Sequence, residues 1–344
     1  MSSVLMRDSD RAEQSGRPAN KHAIIIENSY IVNRLSTISA QYIKENMQTA
    51  EKVKSGIVAL VGPPNVGKST LLNRLLGQKI SIVSPKPQTT RNRILGIVNG
   101  PDHQVVLLDT PGIHEARSPL NQEMVKIALD TLAEVDGILF MTDVTLPPPS
   151  PSRNPAEVLA GRSQPVLLVL NKIDLVAKEK LLPILAAYQA LMPFRAIIPI
   201  SAKSGDGADL LLREVIDLLP EGPRLYPEDI PTDASERFIT AEIIREKIFL
   251  QTRQEVPYST AVVIDRFHDD GRLATIDATI IVEHPSQKGI VIGKKGMMLK
   301  AIGSAARIDI EQLLDRKVLL KLFVKVEKEW TRNPRLLREL GFQS

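Results

Sequence analysis

Eight consecutive residues, Gly62-Pro63-Pro64-Asn65-Val66-Gly67-Lys68-Ser69, have the types and spacing needed to hold phosphate. The two glycines let a loop curl until several backbone N–H groups point at one place. A helix beginning there adds the positive end of its dipole. Lys68 can then reach the β- and γ-phosphates of a nucleotide, and the Ser69 hydroxyl can hold Mg²⁺. Asp109-Thr110-Pro111-Gly112 supplies an acid that can orient the ion through water and a Gly112 N–H that can meet a γ-phosphate and report its loss. Asn171-Lys172-Ile173-Asp174 suits guanine: the Asp174 carboxylate can accept bonds from N1–H and N2–H₂, which adenine cannot supply. Lys172 can lay its stem over the ring, and Asn171 can reach back to the phosphate loop. Backbone N–H groups of Ser201-Ala202-Lys203 can meet guanine O6. Together these residues point to a site for a guanine nucleotide with Mg²⁺.

The elements that must position them are legible from apolar runs. Ile57-Val58-Ala59-Leu60-Val61 reads as a buried parallel strand entering the phosphate loop. Thr70-Leu71-Leu72-Asn73-Arg74-Leu75-Leu76 reads as the helix leaving it. Residues 94–98, 104–108, 137–141, 165–170 and 196–200 read as further strands, with the Asp109, Asn171 and Ser201 segments at strand ends. An acid at the carboxyl end of a parallel strand lies at the ligand edge of a sheet. Alternating strands and helices predict an α/β unit, a mostly parallel sheet with flanking helices. Ser84-Pro85-Lys86-Pro87-Gln88-Thr89-Thr90-Arg91 is a polar, Pro-stiffened loop, and the Pro-rich segment 146–151 should be exposed. An amphipathic helix over 208–219 closes the unit, and 220–227 reads as a linker.

A second chemistry lies nearer the C-terminus. Gly293-Lys294-Lys295-Gly296 sits between two helical stretches, preceded by Ile292 and followed by Lys300. Two glycines let the backbone approach a sugar-phosphate chain, the lysines attract it, and an apolar face can support bases. From residue 285 onward there are 13 Lys plus Arg against 6 Asp plus Glu, or +7, so with +4 overall the remainder carries −3. A basic C-terminal part on a near-neutral body predicts a polyanionic partner. The order is helix (236–254), strand (258–267), strand (272–282), helix, Gly-Lys-Lys-Gly turn, helix, strand (317–326).

The phosphate loop, Thr-bearing loop, Asp-Thr-Pro-Gly, Asn-Lys-Ile-Asp and Ser-Ala-Lys, in that order, resemble the translation-factor-related GTPases. The C-terminal order and its Gly-Lys-Lys-Gly resemble an α+β type II KH domain. A P-loop GTPase domain followed by a type II KH domain, over about residues 53–342, resembles the Era family of bacterial ribosome-associated GTPases. Arg237-Phe238, Glu242-Ile243-Ile244-Arg245-Glu246-Lys247, Pro257-Tyr258-Ser259 and Leu336-Leu337-Arg338-Glu339-Leu340-Gly341 belong to that resemblance. The expected division is an extension over 1–54, a GTPase unit over 55–222, a linker over 223–234, a KH unit over 235–330 and a tail over 331–344.

The resemblance implies further roles. GTP or GDP with Mg²⁺ would bind across residues 62–70, Thr70 included, with Lys68 on the phosphates and Ser69, Asp109 and a loop threonine, Thr90 rather than Thr89, around the metal. Ile113 stands where many GTPases carry a water-orienting Gln, so intrinsic turnover should be slow. Asn65 is the residue with which related GTPases use K⁺ in place of an arginine. Arg91 and Arg93 read as structural or RNA-facing. The implied partners are single-stranded RNA at the 3′ end of 16S rRNA and the 30S subunit, in a late step of its maturation. Weak association with the cytoplasmic face of the inner membrane and a monomeric state are also implied.

Composition sets outer limits. With 344 residues, two domains are expected, and 43% hydrophobic and 24% charged residues are ordinary for a globular protein. No cysteine is present, which excludes disulfides, zinc–thiolate sites and thiol catalysis. No apolar run reaches the roughly 18 residues needed to span a bilayer, and no signal-type apolar region opens the chain, so a cytoplasmic protein is expected. Residues 1–20 are polar and aperiodic and are expected to be disordered, and Met47 is a candidate start. Two rivals remain from the residues alone. One is a constitutive RNA-binding adaptor with a relic nucleotide unit, against which intact Lys68, Ser69, Asp109 and Asp174 argue. The other is a GTPase whose C-terminal unit binds protein or membrane.

Overall fold

The structure, a computed structural model, describes residues 52–113, 118–133, 135–147, 149, 156–253 and 256–340. The disorder expected for the N-terminal extension and the Met47 start fall outside the described residues. So do part of the Pro-rich loop and the last residues of the tail.

Strand β1 (Val53–Val61) runs through the middle of the first sheet, and its residues from Val58 to Val61 are fully buried. A strand covered on both faces needs this uninterrupted apolar run. Val58 and Leu60 point to one layer, with Leu71 and Leu72 of α1 (Lys68–Leu76) and Leu211 and Val215 of α4 (Ala208–Leu218). Ala59 and Val61 point to the other, with Ile184 and Tyr188 of α3 (Leu181–Gln189). The remaining strands are β2 (Ile94–Asn99), β3 (His103–Asp109), β4 (Gly137–Asp143), β5 (Val166–Asn171), β6 (Ala196–Pro199) and the two-residue β7 (Glu221–Gly222). The spatial order is β2-β3-β1-β4-β5-β6, with β7 paired to the start of β1. The pairings along β3-β1-β4-β5-β6 are parallel, and β2 is antiparallel on the edge. Helix α2 (Pro119–Thr131) is capped by Ser118, whose hydroxyl accepts from Asn121 N.

The second unit is helix α5 (Glu236–Gln251), β8 (Ala261–Asp269), β9 (Leu273–Val282), α6 (Pro285–Ile292), α7 (Met297–Leu314) and β10 (Lys317–Val326). Its sheet has the order β10-β9-β8, with β10 parallel and β8 antiparallel to β9. Alternate residues of β9, from Ala274 to Val282, are buried against Ile243, Ile244, Ile302 and Ile310 of the helices. The fold is therefore a P-loop α/β unit joined to a type II KH unit.

Three expectations need correction. The strand expected from Tyr258 begins at Ala261, because the carbonyls of Pro257 and Tyr258 accept from Arg91 and that of Ser259 accepts from Trp330 Nε1. Segment 220–232 is no free linker: β7 pairs with Val53 and Lys54, Arg224 donates to the carbonyls of Gly100, Pro101 and His103, and Ile97 N donates to Pro231 O. That pairing also starts β1 at Val53, within the expected extension. The segment expected as a tail carries helix α8 (Pro334–Glu339), which buries Leu337 with Trp330, Leu120 and Met124.

Candidate functional site

The phosphate loop lies between β1 and α1. Gly62 has φ 145° and Gly67 φ 105°. A Cβ on Gly62 would lie 2.1 Å from the Met141 carbonyl oxygen, and one on Gly67 2.3 Å from Asn171 Nδ2. Both positions therefore require glycine. Pro63, Pro64, Asn65 and Val66 form the curl between them, and Thr70 follows in the first turn of α1. Lys68 is buried, and its ammonium donates to the carbonyls of Gly62 (3.0 Å) and Pro63 (2.9 Å). Burial pushes Lys68 down to about 8, while the Asp109 charge pulls it up. A polyphosphate beside this ammonium would favour its charged form and draw the value back up.

A hard-oxygen corner stands next to it. Ser69 Oγ donates to Asp109 Oδ2 at 2.6 Å, Ser81 Oγ donates to the same oxygen at 2.8 Å, and Thr90 Oγ1 lies 2.8 Å from Ser69 Oγ. Asp109 Oδ1 is buried without a hydrogen-bond partner. Burial raises the Asp109 carboxyl above the usual range, even though three hydroxyls and Lys68 oppose the shift. A carboxylate that is short of compensating charge, flanked by two hydroxyls, fits Mg²⁺. Thr89 turns away: its hydroxyl donates to Lys86 O at 2.6 Å and meets Ser84 Oγ at 2.8 Å. Gly112 approaches so closely that a Cβ would sit 2.8 Å from Pro64 Cα, and Ile113 N donates to Gly62 O. Thr110 is tied to Leu60 O, and Pro111 carries the chain on to Gly112.

The base-side loops are joined by one amide. Asn171 Nδ2 donates to Val66 O at 2.7 Å, and its Oδ1 accepts from Ala202 N at 2.9 Å. The phosphate loop and the 201–203 loop are thus held in one frame, with Ser201 buried and Lys203 exposed. Lys172 adopts φ 67° and pairs with Asp143 at 2.5 Å, and Asp174 stands exposed one turn on. Burial would raise the Asp143 carboxyl, but Lys172 and Thr145 outweigh it and hold it low. Sequence reasoning missed Asp143, Ser81 and Arg74, which donates to the carbonyls of Ala202 and Lys203. Asp143 could have been found as the acid ending β4, in register beside Asn171.

The Gly293–Gly296 turn joins α6 to α7, with Gly293 at φ 71°, Lys295 at 50° and Gly296 at 76°. Ile292 is partly buried beneath it, while Lys294, Lys295 and Lys300 are exposed. Beside it a groove of about 370 Å³ runs between α7 and β10, lined by Gly303, Ser304, Arg307, Leu320 and Leu322 among others. None of these five was singled out from sequence, although 296, 300, 303 and 307 share a helical face. Apolar floor, cationic rim and small residues suit a single nucleic-acid strand. Arg91 is buried inside the protein, which makes it structural. Among the described residues no helix is long and apolar enough to cross a membrane.

A family model described as "50S ribosome-binding GTPase" matches residues 57–172, and one described as "KH domain" matches 255–331. The chain is 57% identical over 291 residues to the GTPase Era of Geobacter metallireducens, covering 84% of this chain and 98% of that protein. It is 58% identical over 297 residues to the GTPase Era of Geotalea uraniireducens, covering 86% and 100%. Among solved structures, an Aquifex aeolicus Era variant bound to GDP and AlF₄⁻ superposes with a TM-score of 0.81 at 43% identity, over 85% of this chain and all of that one. Era in complex with MgGDPNP and nucleotides 1506–1542 of 16S ribosomal RNA superposes with a TM-score of 0.81 at 44% identity, with the same coverage.

Proposed function

The chain belongs to the Era family of GTPases, and from that premise we propose that it is a GTP-driven switch that binds the single-stranded 3′ end of 16S rRNA during maturation of the 30S subunit. It hydrolyses GTP to GDP and phosphate. The observation that carries the reading is the meeting of the phosphate loop, the Asp109 corner and the Asn171 frame at one sheet edge, in a chain that also presents the Gly293–Gly296 turn.

In this reading Lys68 leaves the Gly62 and Pro63 carbonyls for the β- and γ-phosphates. Ser69, Thr90 and Asp109 hold the metal corner, and Asp174 accepts the guanine N–H groups. Mg²⁺, when bound there, offsets phosphate charge as the γ-phosphoryl group transfers to water. Ile113 offers no side chain to orient that water, so catalysis rests on positioning and turnover is slow. Asn65 donates through Nδ2 to Pro85 O at 2.8 Å, which leaves its amide oxygen as the candidate K⁺ ligand. Hydrolysis should run faster in K⁺ than in Na⁺, and equal rates would remove that role. Lys294, Lys295 and Lys300 meet the RNA backbone, with Ile292 beneath them. The GTPase unit takes in residues 53–222 with the strap over 223–232 fastened to it, and the KH unit follows from 235. The protein acts as a cytoplasmic monomer, its basic C-terminal part drawn weakly to an anionic membrane surface.

The test is the affinity of a 16S 3′-end fragment for the protein with a GTP analogue or GDP, at fixed salt. Tighter binding with the analogue supports a gated switch. Equal tight binding would indicate two independent modules, and no binding in either state would sink the RNA assignment. Cosedimentation with 50S but not 30S subunits would sink the 30S role.

A further inference from the structure

Loop 77–93 meets the metal corner twice, through Ser81 on Asp109 and through Thr90 on Ser69, and the stretch around Thr90 is gripped by the KH unit. Directly before it, the Thr89 carbonyl accepts from Arg245 Nη2 of α5 at 2.5 Å. Directly after it, Arg91 reaches into the KH unit and donates to the carbonyls of Pro257 (3.1 Å), Tyr258 (2.7 Å) and Thr260 (2.8 Å). Further back, Lys86 donates to the carbonyls of Phe249 and Thr252 at the end of α5, and Val83 N donates to Glu246 Oε1 at 2.9 Å. Arg245 is itself fixed: Glu242 accepts from its Nε at 2.8 Å and from its Nη2 at 2.5 Å, and its guanidinium lies 5.3 Å from the Phe249 ring centroid. The side chain is 2% exposed, so it carries the stiffness of the packed KH core.

We propose that Arg245, a residue of the RNA-binding unit, is a positioning residue of the GTPase site: it holds the Thr89 carbonyl so that the Thr90 hydroxyl stays at Ser69. The residue touches neither nucleotide nor metal and acts through one backbone carbonyl. The KH unit is then part of the machinery that distinguishes GTP from GDP, because the loop threonine is needed only when a γ-phosphate is present. Displacement of α5 frees Thr90, and by linkage whatever orders Thr90 favours this seat of α5. The inference rests on the role of Thr90 proposed above.

Two measurements test it on the full chain: hydrogen exchange of the amides in 84–93, and the Mg²⁺ dependence of affinity for a non-hydrolysable GTP analogue, with GDP as control. Arg245→Ala should speed exchange across 84–93. It should weaken Mg²⁺-dependent binding of the analogue about tenfold, the scale of one charge-assisted hydrogen bond, and leave GDP affinity unchanged. Arg245→Lys keeps the charge without the planar fork, so it should recover part of the loss. If the alanine variant does not fold, Arg245→Lys and Glu242→Gln are read on the same two scales, each expected between wild type and full loss. Thr90→Ala separates the failures. A Mg²⁺ dependence unaltered in Thr90→Ala overturns the role of Thr90. A shift in Thr90→Ala with wild-type exchange and Mg²⁺ dependence in the Arg245 variants overturns the positioning role alone.

Discussion

Asp174 stands exposed at the base-side loop, where its carboxylate is the acceptor for the guanine N1–H and N2–H₂ groups. Asp174→Asn exchanges one acceptor for a donor that faces the guanine N–H groups. A lost charge-assisted bond is worth about 1.5–3 kcal/mol, so affinity for GDP should fall by roughly 10- to 100-fold. Displacement of a fluorescent GDP would measure this, and xanthine nucleotides, with a carbonyl in place of the 2-amino group, should gain. Gly112→Ala puts a methyl 2.8 Å from Pro64 Cα and blocks the approach of the 109–112 segment to the phosphate loop. Affinity for a GTP analogue should fall while GDP affinity holds, as titration of each would show. Residue roles of this kind are legible in sequence because a residue's type dictates its chemistry. Thr89 and Thr90 are not separable that way. They share one chemistry, and the choice between them depends on a carbonyl held by Arg245, distant in sequence.

At the scale of elements, the strand–loop–helix alternation was legible from apolar runs because a parallel strand covered on both faces cannot hide its composition. The strap over 220–232 was not, because Pro and Gly signal only the absence of helix, while the strap is held by non-local bonds. Gln104 shows this, accepting from the amides of Leu225 and Tyr226 and donating to Tyr226 O. The junction of loop 77–93 with α5 and α7 is likewise non-local: Lys79 and Lys247 each contact both Glu246 and Asp309 at 2.5–3.1 Å. Burial would raise the Asp309 carboxyl, but the bonds and charges of Lys247 and Lys79 outweigh it and hold it low. The folded protein therefore binds that proton less readily than the unfolded chain. The stability involved is present above the ordinary carboxylate pKa of about 4 and is lost as pH falls towards the lower folded value. Asp309→Asn should melt below wild type at neutral pH, and the gap should narrow on acidification, as paired thermal scans would record.

At the scale of the whole molecule, Trp330 is the largest fully buried side chain. It donates to Ser259 O at 2.9 Å, lies 5.9 Å from the Arg91 guanidinium, and clusters with Leu337, Leu120 and Met124. It therefore touches the KH unit, loop 77–93 and α2 at once. Trp330→Ala should cost about 3–5 kcal/mol, read as a fall in denaturation midpoint. It should also speed hydrogen exchange over 84–93, which a purely local cavity would not do. Sequence alone placed Trp330 at the last position of the KH unit without a role, since a lone aromatic after a strand carries no sign of what it fills.

The strap has a consequence for how the two units meet. With 220–232 fastened to the first sheet and Ser235 already capping α5, only Asp233 and Ala234 tether one unit to the other. So short a tether gives the α5 face an effective concentration at the switch loop in the millimolar range or above. A contact with a dissociation constant of about 0.1 mM, too weak to join separate molecules in a cell, would still be about 90% closed at an effective concentration of about 1 mM. Such a joint sits near balance, and a competing partner worth only a few kcal/mol would swing it open.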